Sequence, residues 1–221
     1  MTLGSTIDGP NQVWSWDITY LPHAVRGKYY YLYLVEDIFS RYGVAWEVHE
    51  QECGELASSM MTKAVIREGC LHKPLVLHSD NGAPMKSQTL KAKLQELSIT
   101  SSFSRPRVSN DNPYSESLFR TLKYSPSWPQ RGFKSIGEAR VWVKKFMAWY
   151  NEKHCHSKIK FVTPSQRHHG DDLLILNNRK AVYNEARKKN PKRWSGKTRN
   201  WNRPSHVALN PEKMEDFSQA A

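Results

Sequence analysis

The chain has 221 residues, 38% of them hydrophobic, and a formal net charge of +12. That length allows one substantial α/β domain with an appendage, and a core of this size needs no disulfides. Cys53, Cys70 and Cys155 fall in no paired spacing, which fits a reducing cytosol and argues against a disulfide scaffold. No run of eighteen apolar residues is present, so no transmembrane helix is expected, and the polar start lacks an apolar signal region.

Residues 1–10 read as a flexible lead. "VWSWDITYL" then alternates, with Trp14, Trp16, Ile18 and Tyr20 on one face and Val13, Ser15, Asp17 and Thr19 on the other, the pattern of a half-buried strand. "YYYLYLVEDIF" is nearly continuous in apolar and aromatic residues and predicts a central strand. "VAWEVHE" predicts a third, joined by short turns in an antiparallel meander. Helical spacing follows over residues 54–68, then a short buried strand in "PLVLHSD", a Lys/Gln/Leu helix over 86–97 and a strand in "ITSSFS". In "SNDNPYSESLFRTLKY" a loop of turn and cap residues leads into a helix with Leu118 and Leu122 one turn apart. Ile136, Ala139, Val143, Phe146 and Tyr150 step by three and four along a further helix, and one more spans about Asp171 to Lys189, before Asn190-Pro191. The order β-β-β-α-β-α-β-α implies a mixed five-stranded sheet with helices packed on it.

Charge is concentrated late in the chain. From Arg179 to Arg203 there are ten Lys or Arg against one acid, Glu185, a net of +9. Such a run favours a polyanion partner over a merely solvated surface, and nucleic acid over a membrane, because no strongly amphipathic helix accompanies it. Trp194 and Trp201 are interleaved with Arg193, Lys197 and Arg199; aromatic rings among cations suit stacking on exposed bases, and equally indoles packed within a mobile tail. His154-Cys155-His156 and His168-His169 lack the cysteine pairs that zinc modules use, no glycine-rich phosphate loop implies a nucleotide cofactor, and His78-Ser79-Asp80 lacks a nucleophile elbow.

Three carboxylates remain. Asp17 lies on the polar face of the first strand, Asp80 ends the fourth, and Glu116 opens a helix with Arg120 and Lys123 at i+4 and i+7. Taken singly, each has an ordinary reading: a solvent-facing strand residue, a turn former in "SDNG", and a first-turn acid suited to the helix dipole. Taken together, on this element order, they form a pattern. "VWSWDITYLP", "LYLVEDIFSRYGVAWEV", "LHSDNGAPMKS", "SRPRVSNDNPYSESLFRTLKY" and "WYNEKHCHSKIKFVTP" resemble, in order, the DDE transposases of the insertion-sequence three family, within the retroviral-integrase-like superfamily.

The resemblance implies an RNase H-like fold, with a catalytic core over residues 11–165 and a basic, helical C-terminal extension over 166–221. It implies that Asp17, Asp80 and Glu116 are the catalytic acids, together holding two Mg²⁺ ions for which Mn²⁺ can substitute, with Asp17 bridging both. It also implies that Arg120 and Lys123 face DNA phosphates and terminal bases, with Asn112 and Tyr114 at the DNA-facing loop that precedes them. Gly82 is expected to supply a backbone angle that other residues resist. The implied reaction is DNA strand cleavage at the ends of a bacterial insertion sequence, followed by strand transfer from a 3′-hydroxyl, in a cytoplasmic protein acting at the nucleoid. Double-stranded DNA at element ends and target, and further copies of the chain assembled on it, are the implied partners. Relatives commonly carry a helix-turn-helix segment before the core, and here Met1 lies sixteen residues before Asp17. End recognition would then come from a partner chain such as an upstream helix-turn-helix protein of the same element, from a fused upstream product, or not at all. A catalytically inactive DNA-binding remnant and an RNase H-like nuclease are the alternatives. His154 stands where the family pattern has arginine, which puts any role needing a permanent charge there in doubt.

Overall fold

Residues 7–105 and 112–209 are described by the structure, a computed structural model. The three aromatic-rich segments form β1 (Val13–Pro22), β2 (Tyr29–Asp37) and β3 (Gly43–His49), paired antiparallel through short turns. β4 (Leu75–Ser79) lies parallel to β1, and β5 (Ile99–Phe103) parallel to β4, giving the order β3-β2-β1-β4-β5. The crossovers are α1 (Gly54–Arg67), between β3 and β4, and α2 (Gln88–Glu96), between β4 and β5. α3 (Pro113–Lys123) and α4 (Ile136–Glu152) follow β5. The mixed sheet flanked by helices is the predicted one; the middle position belongs to β1, with β2 beside it.

The sheet is covered on both faces. Trp14, Trp16, Tyr33, Val35 and Leu77 pack against Ala57, Met60, Met61 and Ala64 of α1 and Leu90 and Leu94 of α2. On the other face Leu21, Leu32 and Leu34 meet Leu118 and Leu122 of α3 and Val143, Phe146, Met147 and Tyr150 of α4. Ser15 and Thr19 are therefore buried, and β1 is not the half-buried strand its alternation predicts. Its polar residues line a protein–protein face, where they need partners.

Local chemistry accounts for the helix ends. Ser87 Oγ accepts from Leu90 N at the start of α2, and Ser135 Oγ from Glu138 N at the start of α4, each satisfying a first-turn amide. The sequence pattern missed α5 (Pro164–His169), which is only six residues long. It begins with a Thr163–Gln166 capping box and stops at Gly170, whose φ of 88° is the left-handed conformation that glycine adopts without steric cost. α6 (Asp172–Lys189) then carries the first half of the basic run and ends ahead of Pro191. Among the described residues no helix is long and apolar enough to cross a membrane.

Candidate active site

The parallel ladder between β1 and β4 ends at the pair Trp16↔Ser79. Asp17 and Asp80 are the next residue on each chain, so the two carboxylates emerge side by side where the strand pairing stops. In an open α/β sheet, ligands bind at such carboxyl ends. Asp17 Oδ1 accepts from Ile18 N at 2.7 Å, and Asp80 Oδ1 from Gly82 N at 2.9 Å, so the turn-forming role of Asp80 is real as well. Gly82 is not at positive φ; a Cβ there would lie 2.9 Å from Met85 Sδ and 3.1 Å from Asp80 Oδ1. Space, rather than a special backbone angle, is what glycine provides at this position.

Glu116 is exposed on the first turn of α3, and that turn is fastened to β1. Ser15 Oγ donates to Asn112 Oδ1, and Ser115 Oγ, 2.6 Å away, supplies the next hydrogen bond to Ser15. Asn112 Nδ2 donates to the Trp16 carbonyl at 3.4 Å. Ser15 is two residues before Asp17 on the same face of β1, and Ser115 directly precedes Glu116. The buried serine–asparagine cluster thus ties the two acid-bearing elements together.

Electrostatics show which charges share the site. The Asp17 carboxyl is pushed up to about 7, first by burial and then by the charge of Asp80, with Glu116 adding to it. The Ile18 amide and the Lys123 ammonium act in the opposite direction. Asp17 therefore lies in the field of both other acids and of Lys123. Among the described residues no three His, Cys, Asp or Glu side chains are gathered closely enough to hold a metal ion as they stand.

Residues 8–109 and 97–164 match the Integrase core domain family. The chain belongs to the integrase core family. The transposase for insertion sequence element IS904 of Lactococcus lactis subsp. lactis (strain IL1403) is 30% identical over 156 residues, 70% of this chain and 60% of that protein. Transposase InsF for insertion sequence IS3A of Escherichia coli (strain K12) is 31% identical over 115 residues, 52% of this chain and 39% of that protein. The chain thus spans only part of the length of the curated relatives it matches. The catalytic core of HTLV-2 integrase, solved in complex with magnesium, matches 73% of this chain and 98% of that one, with a TM-score of 0.50 at 21% identity. The catalytic domain of Mos1 mariner transposase covers 62% of this chain and 70% of that one, with a TM-score of 0.51 at 15% identity. The integrase core here accordingly has the RNase H-like fold, and the resemblance read from the five sequence segments stands.

Other predicted site residues divide by burial. Arg120 and Lys123 are exposed on α3, one and two turns beyond Glu116. Asn112 and Tyr114 are only 5% and 6% exposed, so they are not placed to meet DNA: one belongs to the cluster on Ser15, and the other donates its hydroxyl to the Ala208 carbonyl. Arg193, Lys197 and Arg199 are exposed, and Trp194 is half-buried against Tyr183. Trp201 is 7% exposed, with the guanidiniums of Arg179 and Arg199 5.3 and 5.1 Å from its ring. Buried among these cations and Tyr183, Trp201 packs the C-terminal segment and offers little surface for stacking on a base. His154 stacks on Tyr150, and His156 Nδ1 accepts from Lys158 N, consistent with a ring pushed down to about 4 by burial and by the Arg41 charge. Sequence reasoning missed Ser15 and Ser115. The alternation does put Ser15 on the Asp17 face, but nothing local announces the helix that covers it.

Proposed function

We propose that this chain is the catalytic part of a bacterial insertion-sequence transposase, cleaving a DNA strand at the element end and joining the freed 3′-hydroxyl to target DNA. The observation that carries the reading is the emergence of Asp17 and Asp80 together at the end of the β1–β4 ladder, in one electrostatic field with Glu116. Like charges that raise one another's proton affinity mark a place for an external cation. Three carboxylates provide hard oxygen donors with room for water and phosphate, which suits Mg²⁺ or Mn²⁺ better than zinc. In donor chemistry the three acids suit two divalent ions, which Asp17, Asp80 and Glu116 would hold once drawn closer together than they stand here. Bound ions would acidify the attacking water or 3′-hydroxyl and stabilise the leaving 3′-oxygen.

The chain's own contribution is placement. The Ser15–Asn112–Ser115 cluster fixes α3 against β1, and Arg120 and Lys123 bind the phosphates flanking the scissile bond. In cleavage, water bonds to phosphorus as the P–O3′ bond breaks, leaving a 3′-hydroxyl and a 5′-phosphate. In joining, that 3′-hydroxyl bonds to a target phosphorus as the target 3′-oxygen leaves, so one phosphodiester replaces another and no nucleotide cofactor is needed. Arg193, Lys197 and Arg199 add contacts to the duplex backbone. Assembly of several copies on DNA, and end recognition by an upstream helix-turn-helix protein of the element, complete the proposal.

Labelled element-end DNA incubated with the chain and Mg²⁺ tests it. Cleaved and joined products, lost in Asp80→Asn while DNA binding persists, are expected. DNA binding without products, with or without the upstream protein, would instead support a catalytically silent DNA-binding form. Cleavage confined to RNA–DNA hybrids would support the nuclease reading.

A further inference from the structure

Between the sheet and the α3–α4 layer, beside Ser15 in the β1–β2 ladder, lies a buried polar group that the site described above does not use. Glu36 on β2 is 1% exposed; its Oε1 is 3.5 Å from the Tyr150 hydroxyl, and its Oε2 is buried without a partner among the described residues. Arg41, in the turn between β2 and β3, holds φ at 66°, a left-handed conformation that side-chain-bearing residues rarely adopt. Its Nε is likewise buried without a partner, and its guanidinium carbon lies 4.0 Å from the centroid of the Tyr114 ring. Tyr114 is in the first turn of α3, two residues before Glu116, and its hydroxyl donates to the Ala208 carbonyl.

A strained backbone and incompletely bonded polar atoms are maintained only where the surrounding structure enforces them. Here they bring one planar cation against one ring. We propose that Arg41 is a positioning residue for Glu116: its guanidinium, stacked on Tyr114, fixes the first turn of α3 and hence the place of Glu116 relative to Asp17. The Ser15–Asn112–Ser115 cluster holds that turn through Asn112 and Ser115, and Arg41 holds it through the Tyr114 ring. The inference rests on the catalytic reading only for its consequence on rate; its structural content stands apart. Displacement of a reacting group by an ångström is enough to slow chemistry by about a hundredfold.

The test compares the unmodified chain with Glu36→Gln, Arg41→Met/Glu36→Gln and Arg41→Lys. Glu36→Gln removes the acid whose burial Arg41 eases, so the double variant separates stacking from simple charge compensation. Expected are a melting temperature for the double variant close to that of Glu36→Gln, and amide exchange at Glu116 to Phe119 faster by about tenfold or more. End cleavage should fall by about ten- to a hundredfold, through kcat, with DNA-end affinity unchanged. Arg41→Lys keeps the charge without the planar face and should recover part of the loss; it also serves if the double variant does not fold. Exchange and cleavage unchanged from Glu36→Gln in the double variant, or unchanged from the unmodified chain in Arg41→Lys, overturn the proposal. If the unmodified chain cleaves nothing, the exchange data still decide for or against Arg41, and the catalytic reading fails separately.

Discussion

Asp17 on β1 and Asp172 at the start of α6 are both drawn out of water, and they are partnered in opposite ways. Asp172 is fully buried, with its Oδ2 accepting from Arg167 Nη1 at 3.0 Å and from Arg203 Nε at 2.9 Å. Arg167 is itself fully buried, over the ring of Phe39. Asp17 has two other acids for neighbours, and only the Ile18 amide and Lys123 favour its ionised form. The basic C-terminal segment thus answers its buried acid from within the fold, whereas the strand ends leave theirs facing like charge. A buried charge paired internally serves structure; one confronted by its own sign is available to a cation from outside.

Substitution of the acids separates the two regions most sharply. On the proposed reading, Asp17→Asn, Asp80→Asn and Glu116→Gln should each lower strand cleavage by about 10³-fold or more, because each would remove a donor to the proposed cations. Thermal unfolding should show Asp17→Asn to be at least as stable as the unmodified chain, because a desolvated like charge is gone. A large drop in melting temperature would make Asp17 a structural residue like Asp172. The converse change, Asp172→Ala, strands the Arg167 guanidinium and should cost about 3–5 kcal/mol in urea unfolding. A cost near zero would mean that the arginines find other partners and that the contrast is false.

A third acid sharpens the comparison. Glu36, fully buried, is pushed up to about 8 from an ordinary 4.5, mainly by burial, with Arg41 opposing. The folded state thus holds this proton more tightly than the unfolded chain does. Its contribution to stability is complete below about pH 4.5 and is lost as pH rises through about 8, an expected fall of roughly 2–3 kcal/mol after allowance for relaxation. Urea unfolding across that range should show the decline, and Glu36→Gln should make it shallower, leaving the share that comes from Asp17. The smallest effects belong to the exposed tail. Lys197→Ala or Arg193→Ala should weaken DNA binding a few-fold across sequences and reduce the salt slope by about 1 each; no change in slope would remove the tail from the DNA interface.

Much of the fold was legible because it is written in local periodicity. β1 to β3 alternate or run apolar between turns, and the stripe Ala139–Val143–Phe146–Tyr150 is buried along α4. What was not legible depends on contacts distant in sequence. The adjacency of Asp17 and Asp80 follows from a parallel register that no single strand encodes. Ser15 looked solvent-facing until α3, a hundred residues on, covered it. Asn112 and Tyr114 sit in the right segment but face inward, because the start of α3 needs anchoring more than the loop needs polar groups there. Composition could not tell a packed indole from a stacking one, and Trp201 proved to be the packed kind. The loop residues Asn110 and Asp111 lie outside the described residues, as do residues 1–6 and the last twelve.

The central claim is that Asp17, Asp80 and Glu116 share divalent cations, and anomalous diffraction from crystals soaked in Mn²⁺ addresses it directly. Two manganese peaks at the end of the β1–β4 ladder, with Asp17 touching both, are the predicted result. Crystals that take up manganese elsewhere while leaving these three carboxylates bare, even with element-end DNA bound, would contradict the account.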